Sequence, residues 1–127
     1  MNRARAPSAD LRGTKILVVE DEFYLAMDIK EAIEQAGGHV HGPCADTAAG
    51  LAELLRETPD YAVVDINLGR GPSFEIAEEL KRRRVPFLFL TGYDAPSIPA
   101  GLADVERIEK PADAARVVEA VARRTTG

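Results

Sequence analysis

The chain has 127 residues, 46% hydrophobic and 29% charged, a balance that suits one soluble globular domain and excludes a disordered chain. Its formal net charge is -5 and no stretch gathers Lys and Arg with interleaved aromatics, which argues against direct nucleic-acid binding and suits a cation site. No apolar run approaches the roughly 20 residues needed to span a bilayer, and the single cysteine, Cys44, closes no internal disulfide, reading as a small gap-filling residue in a reducing, cytoplasmic setting.

Met1 to Gly13 carries Arg3, Arg5 and Arg12 with no apolar segment after them. It is not a secretory signal and reads as a flexible tail, residues 1–13, ahead of a domain over 14–127. Lys15 to Val19 (KILVV) is apolar on both faces and rich in β-branched residues, as in a central parallel strand. It runs into Glu20, Asp21 and Glu22. Phe23 to Ala36 follows, with Phe23, Met27, Ile29 and Ile33 near helical spacing, and Gly37 and Gly38 stop the helix. His39 to Pro43 alternates as a short outer strand. Asp46 or Thr47 caps a helix reaching about Arg56, with Leu51, Leu54 and Leu55 inward.

Tyr61 to Asp65 (YAVVD) is a second buried strand ending in an acid, followed by a Gly-rich loop over 66–72. Ser73 caps a helix through Arg83 with Phe74, Ile76, Ala77 and Leu80 facing in. Val85 to Leu90 is a strand ending at Thr91. Residues 93–104 give a weak helical signal, because Pro96, Pro99 and Gly101 interrupt them. Val105 to Ile108 is a short strand ending at Glu109 and Lys110, and Ala112 to Arg124 is the last helix, with Val117, Val118 and Val121 on one face. Five β-α units imply a doubly wound parallel sheet with helices on both faces and a weak or disordered fourth helix. No repeat, second domain or output domain is expected.

The chemistry lies at the strand ends. Glu20 and Asp21 follow the first strand, Asp65 ends the third, Thr91 follows the fourth and Lys110 the fifth. In a parallel sheet these ends share one edge, where such folds bind ligands. Clustered carboxylates repel unless a cation neutralises them, and a few oxygen ligands with room for water and phosphate suit Mg²⁺. A carboxylate can act as a nucleophile toward phosphorus, while a metal and a fixed Lys stabilise the charge spread over the transferring oxygens. Each residue alone also has a structural reading, as a helix cap, a turn hydroxyl or a solvated charge; the conjunction carries the signal.

Ile16–Glu22 (ILVVEDE), Val63–Leu68 (VVDINL), Thr91–Gly92 and Lys110–Pro111 together resemble the receiver domain of bacterial response regulators, over residues 14–124. The resemblance implies a flavodoxin-like (βα)5 sheet of order 2-1-3-4-5. It implies Asp65 as phosphoacceptor, Asp21 as a direct Mg²⁺ (or Mn²⁺) ligand, Glu20 acting through metal-bound water, and the backbone carbonyl of Asn67 as a further ligand. Thr91 is then the switch hydroxyl and Gly92 leaves room for the phosphoryl group. Lys110 pairs with a phosphate oxygen, aimed by a cis peptide to Pro111. The implied donor is a sensor histidine kinase or a histidine phosphotransfer protein, with an unidentified downstream protein, no nucleic acid or membrane partner, and a monomer or weak dimer. Pro86–Tyr93 (PFLFLTGY) is similar to a stand-alone alphaproteobacterial subgroup whose signature reads Pro-Phe-x-Phe-Ala-Thr-Gly-Tyr, with Leu90 in place of Ala.

Three positions depart from the family pattern: Gly69 stands where a Pro is usual, Arg107 where an aromatic is usual, and Pro96 and Pro99 break the fourth helix. They point away from the common coupling of the switch Thr to an inward-turning aromatic. Tyr93 is open to two readings, a substitute signalling aromatic or a surface Tyr packed on a loop. The rivals are weaker. A degenerate receiver predicts loss of an acid, the Thr or the Lys, and all are present. An aspartyl phosphatase wants a second acid where Asn67 stands. A flavin phosphate would be repelled by Glu20–Glu22.

Overall fold

The computed structural model describes residues 9–68, 74–92 and 97–125. Five parallel strands, β1 (Lys15–Val19), β2 (His39–Cys44), β3 (Tyr61–Asp65), β4 (Phe87–Thr91) and β5 (Glu106–Glu109), form one sheet of order β2-β1-β3-β4-β5. The helices are α1 (Phe23–Gln35), α2 (Thr47–Arg56), α3 (Glu75–Arg82) and α4 (Ala114–Thr125). Where a further helix would stand, the described residues 97–104 form only a 3-10 turn at Ala100–Leu102, as Pro99 and Gly101 lead one to expect.

Period-2 alternation sorts the core. Ile16, Val18, Tyr61, Val63, Leu88 and Leu90 pack with Ile29 and Ile33 of α1 and with Val117 and Val121 of α4. Leu17, Val19, Ala62, Val64 and Phe89 pack with Leu54 of α2 and with Ile76 and Leu80 of α3. Both faces of β1, β3 and β4 are therefore covered, which is why these segments read as continuous apolar runs. β2 lies at the sheet edge, as its alternation suggests. Its register with β1 shifts between Leu17 and Val19, and Gly42 sits there with φ +104°, a conformation an L side chain adopts only under strain.

Helix termini follow the local chemistry. The Asp46 side chain accepts from the Ala49 amide at 2.8 Å, so Asp46 and not Thr47 is the N-cap of α2. The expected Ser73 cap of α3 lies outside the described residues. α3 ends with Val85 N–H donating to Leu80 C=O (2.9 Å) and Arg84 N–H to Lys81 C=O (3.0 Å), a Schellman pair. Arg84 occupies its left-handed position with φ 60°, where glycine is usual and an L residue pays about 1–2 kcal/mol.

Three expectations need correction. Leu55 is 83% exposed, not inward. The inner face of α2 is centred on Gly50 and Leu54, where a Cβ on Gly50 would meet Ile76 at 2.6 Å, and Leu55 is rotated about 100° from Leu54. Phe23 and Met27 are also exposed, the buried stripe of α1 being Ala26, Ile29 and Ile33. Finally, the flexible tail does not extend to residue 13. Leu11 is fully buried in the α1–α4 cluster with Ala9 against it, and its N–H donates to Ala36 C=O at 2.8 Å; residues 1–8 lie outside the described residues. Leu11→Ala is accordingly expected to cost about 2 kcal/mol or more in urea unfolding, whereas a disordered tail predicts no change.

Candidate functional site

The carboxyl edge of the sheet gathers the predicted residues. Glu20, directly after β1, and Asp65, closing β3, are each 2% exposed, and Thr91, closing β4, is 5% exposed. Asp21 is exposed beside them. One carboxylate oxygen from each of Glu20, Asp21 and Asp65 lies within 4.8 Å of the others.

Lys110 follows β5 and reaches across this edge. Its Nζ lies 3.0 Å from Asp65 Oδ2, 3.0 Å from Glu20 Oε1 and 3.2 Å from Glu20 Oε2. The backbone sets its position: Lys110 N–H donates to Thr91 C=O at 2.7 Å, and the Lys110–Pro111 peptide is cis, as the resemblance implies. On the far side, Asn67 N–H donates to Asp65 Oδ1 at 2.9 Å, so both oxygens of the buried carboxylate are held, one by an ammonium and one by an amide. Glu22 was not singled out in the sequence. Its N–H donates to Glu20 Oε2 at 2.8 Å, and its side chain stands 3.8 Å from Lys110 Nζ; its only signal is a place third in the run of acids.

Electrostatics follow from burial. Desolvation, reinforced by the Asp65 charge, pushes the Glu20 carboxyl up to about 7 against the opposing Glu22 amide and Lys110. Burial works against the Lys110 charge, yet the hydrogen bonds to Asp65 and Glu20 outweigh it and raise its pKa. Glu20 Oε1 is buried without a donor in hydrogen-bonding geometry, although Lys110 Nζ is close. An all-oxygen donor set with one buried, unsatisfied carboxylate oxygen fits a hard divalent cation such as Mg²⁺.

The Glu20 shift carries a sign. The folded chain keeps this proton up to about 7, whereas an unfolded Glu loses it near 4.5. The folded state thus binds more protons between those values, and metal-free stability is expected to fall as pH rises from 4.5 through 7. Urea melts over that window should show the decline, and Glu20→Gln should lack it; equal slopes in the two proteins would remove Glu20 as its source.

Gly92 is described, and a Cβ built on it would meet no atom of the described residues within 4 Å. Tyr93, Pro96 and Gly69 lie outside the described residues. Arg107, where an aromatic is usual, is exposed on β5.

Fold and pocket together define a class: a doubly wound α/β domain with a 2-1-3-4-5 sheet whose ligand edge is acidic. The chain belongs to the response regulator receiver domain family, whose model matches residues 16–122. It is 33% identical over 109 residues to the sensory transduction protein LytT of Bacillus anthracis, covering 83% of this chain and 44% of that protein. It is 31% identical over 126 residues to the acid tolerance regulatory protein ActR of Sinorhizobium medicae, covering 94% and 64%. The chain thus spans less than two thirds of these curated relatives. Among solved structures, SdrG from Sphingomonas melonis Fr1 superposes with a TM-score of 0.73 at 32% identity, covering 91% of this chain and 97% of that one. No helix among the described residues is long and apolar enough to cross a membrane.

Proposed function

We propose that this receiver domain takes a phosphoryl group on Asp65 from a sensor histidine kinase or a histidine phosphotransfer protein, in a Mg²⁺-dependent reaction in the cytoplasm, and thereby changes the surface it offers a downstream protein. The observation that carries this reading is the Asp65 carboxylate itself. It is buried at the ligand edge, 3.0 Å from Lys110 Nζ and within 4.8 Å of two further carboxylates. A buried acid would not be surrounded by like charges for stability alone.

The step is a displacement at phosphorus. An Asp65 oxygen forms the new P–O bond while the P–N bond to the donor histidine breaks, and that nitrogen keeps the electron pair. Lys110 compensates charge on the transferring oxygens, Thr91 offers a hydroxyl to one of them, and Gly92 leaves space beside them. Asp21, Asp65, the Asn67 carbonyl and, through water, Glu20 would hold the cation, which supplies further neutralisation of those oxygens. The domain catalyses only its own phosphorylation and dephosphorylation and is a signalling module. Incubation with Mg²⁺ and a small acyl phosphate, followed by intact mass measurement, should show one added phosphoryl group; no gain would sink the reading.

The donor needs a landing surface. Phe23 and Tyr24 are 66% and 79% exposed on the first turn of α1, immediately after the acids, with their rings edge to face at 5.4 Å. Exposed paired aromatics suit a protein contact. Replacing both with Ala is expected to slow transfer from the cognate phosphodonor protein by tenfold or more, while labelling by a small acyl phosphate stays unchanged. Equal slowing of both reactions would assign the pair to the pocket and not to docking.

A further inference from the structure

The amino edge of the sheet, opposite the acidic pocket, carries a cavity of about 340 Å³ between the starts of β4 and β5. One strand length, roughly 13 Å, separates it from Asp65. Lys81, Arg84 and Arg124 line it, a local excess of cations in a chain whose net charge is -5. Lys81 is engaged, its ammonium donating to the Gly101 carbonyl. Neither the Arg84 nor the Arg124 guanidinium makes an ion pair or side-chain hydrogen bond among the described residues. Glu106, on the same wall, is already matched by Arg123 at 2.8 Å, which leaves Asp104 as the acid without a cationic partner there.

Arg84 adds an independent observation. It holds the left-handed position that ends α3, with φ 60°, where glycine is the unstrained choice. Val85 and Phe87, only 6% and 7% exposed, form an apolar floor beside it. Backbone strain that presents a guanidinium unpaired among the described residues at a cavity mouth is a pattern of binding sites, and the volume falls at the small end of ligand pockets.

We propose that this cavity binds a nucleoside monophosphate, with the phosphate on Arg84 and Arg124, the planar base against Val85 and Phe87, and an exocyclic amino group of the base donating to the Asp104 carboxylate. A bare anion would use the guanidinium groups and gain nothing from the apolar floor, and Asp104 would repel it. A base with an amino group uses all three features. The site is independent of Asp65 and of the phosphoryl-transfer reading.

Calorimetric titration of the whole chain in Mg²⁺-free buffer, with AMP, UMP and inorganic phosphate as probes, tests this. AMP should bind saturably with one site per chain, at least tenfold more tightly than phosphate and several-fold more tightly than UMP, which lacks the amino group. Amide NMR signals of Val85, Phe87 and residues 104–106 should shift, and those of Glu20 and Asp65 should not. Arg84→Gly, which suits the backbone better than arginine and so retains the fold, should weaken AMP binding at least tenfold, as should Arg124→Gln. Acyl-phosphate labelling of Asp65 should be unaffected in both. Absence of saturable AMP binding, phosphate binding as tightly as AMP, or AMP binding unchanged in Arg84→Gly would each overturn the proposal.

Discussion

Asp65→Asn is expected to abolish phosphoryl incorporation completely. Asparagine keeps the shape of the side chain and can still accept from the Asn67 amide, which donates to Asp65 Oδ1 at 2.9 Å, so the β3 end and the loop after it should survive. What vanishes is the charged oxygen that faces Lys110 at 3.0 Å. An amide oxygen is a poor nucleophile toward phosphorus and cannot form an acyl phosphate. Mass measurement of the variant with Mg²⁺ and acyl phosphate should return the unmodified mass, with urea unfolding still cooperative. Labelling equal to that of the parent protein would move the acceptor elsewhere.

Lys110→Ala is the second large effect, and it acts twice. The ammonium is the one side-chain cation placed on Asp65 among the described residues, and loss of a single preorganised charge-stabilising group typically slows such chemistry by about 10²–10³-fold. Labelling by acyl phosphate should slow by that order while still ending on Asp65. The substitution also leaves Glu20 and Asp65, each 2% exposed, without the cation between them. Removing one partner from a buried ionic group leaves uncompensated charge and is costly, on the order of 3 kcal/mol. Lys110 is itself 22% exposed, so water offsets part of that. Metal-free Lys110→Ala should therefore unfold at lower urea than the parent protein, and added Mg²⁺ should recover more stability in the variant than in the parent, because the cation then does what the ammonium did. A labelling rate within a few-fold of the parent would remove Lys110 from the chemistry, and an unchanged urea midpoint would remove it from the charge balance.

The switch itself ties these residues to the surface. Thr91 closes β4, and its carbonyl accepts from Lys110 N–H at 2.7 Å, so a pull on either residue is felt by both. Between them in sequence lies the stretch that contains the 3-10 turn at Ala100–Leu102, anchored among the described residues by Leu102, 3% exposed. Ile98 and Val105 pack against the same core cluster, so the described part of this stretch is tied to the sheet face beneath it.

Much of the molecule was determined by its sequence alone. The β-α alternation, the sheet edge occupied by β2 and the convergence of Glu20, Asp21, Asp65, Thr91 and Lys110 were all legible. Continuous β-branched runs can be satisfied only by burial on both faces, and parallel strands must bring their carboxyl ends to one edge. The weak helix after Thr91 was legible for an equally local reason, since prolines act on their own backbone. Only the tertiary structure decided what depends on rotation and distance between elements. Leu55 and Leu54 are indistinguishable as residues, and the approach of α2 to Ile76 over Gly50 selects which of them is covered. Leu11 belongs to the core because its N–H reaches the Ala36 carbonyl just past α1 and its side chain joins the cluster shared by α1 and α4, a contact no local pattern around Arg12 and Gly13 could signal. The same holds at both ends of the sheet: strand ends name the acids, but only packing sets Lys110 between Glu20 and Asp65 and brings Arg84 and Arg124 to one cavity. Charge in a sequence is a list, and its energy depends on separations and burial that exist only once the chain has folded.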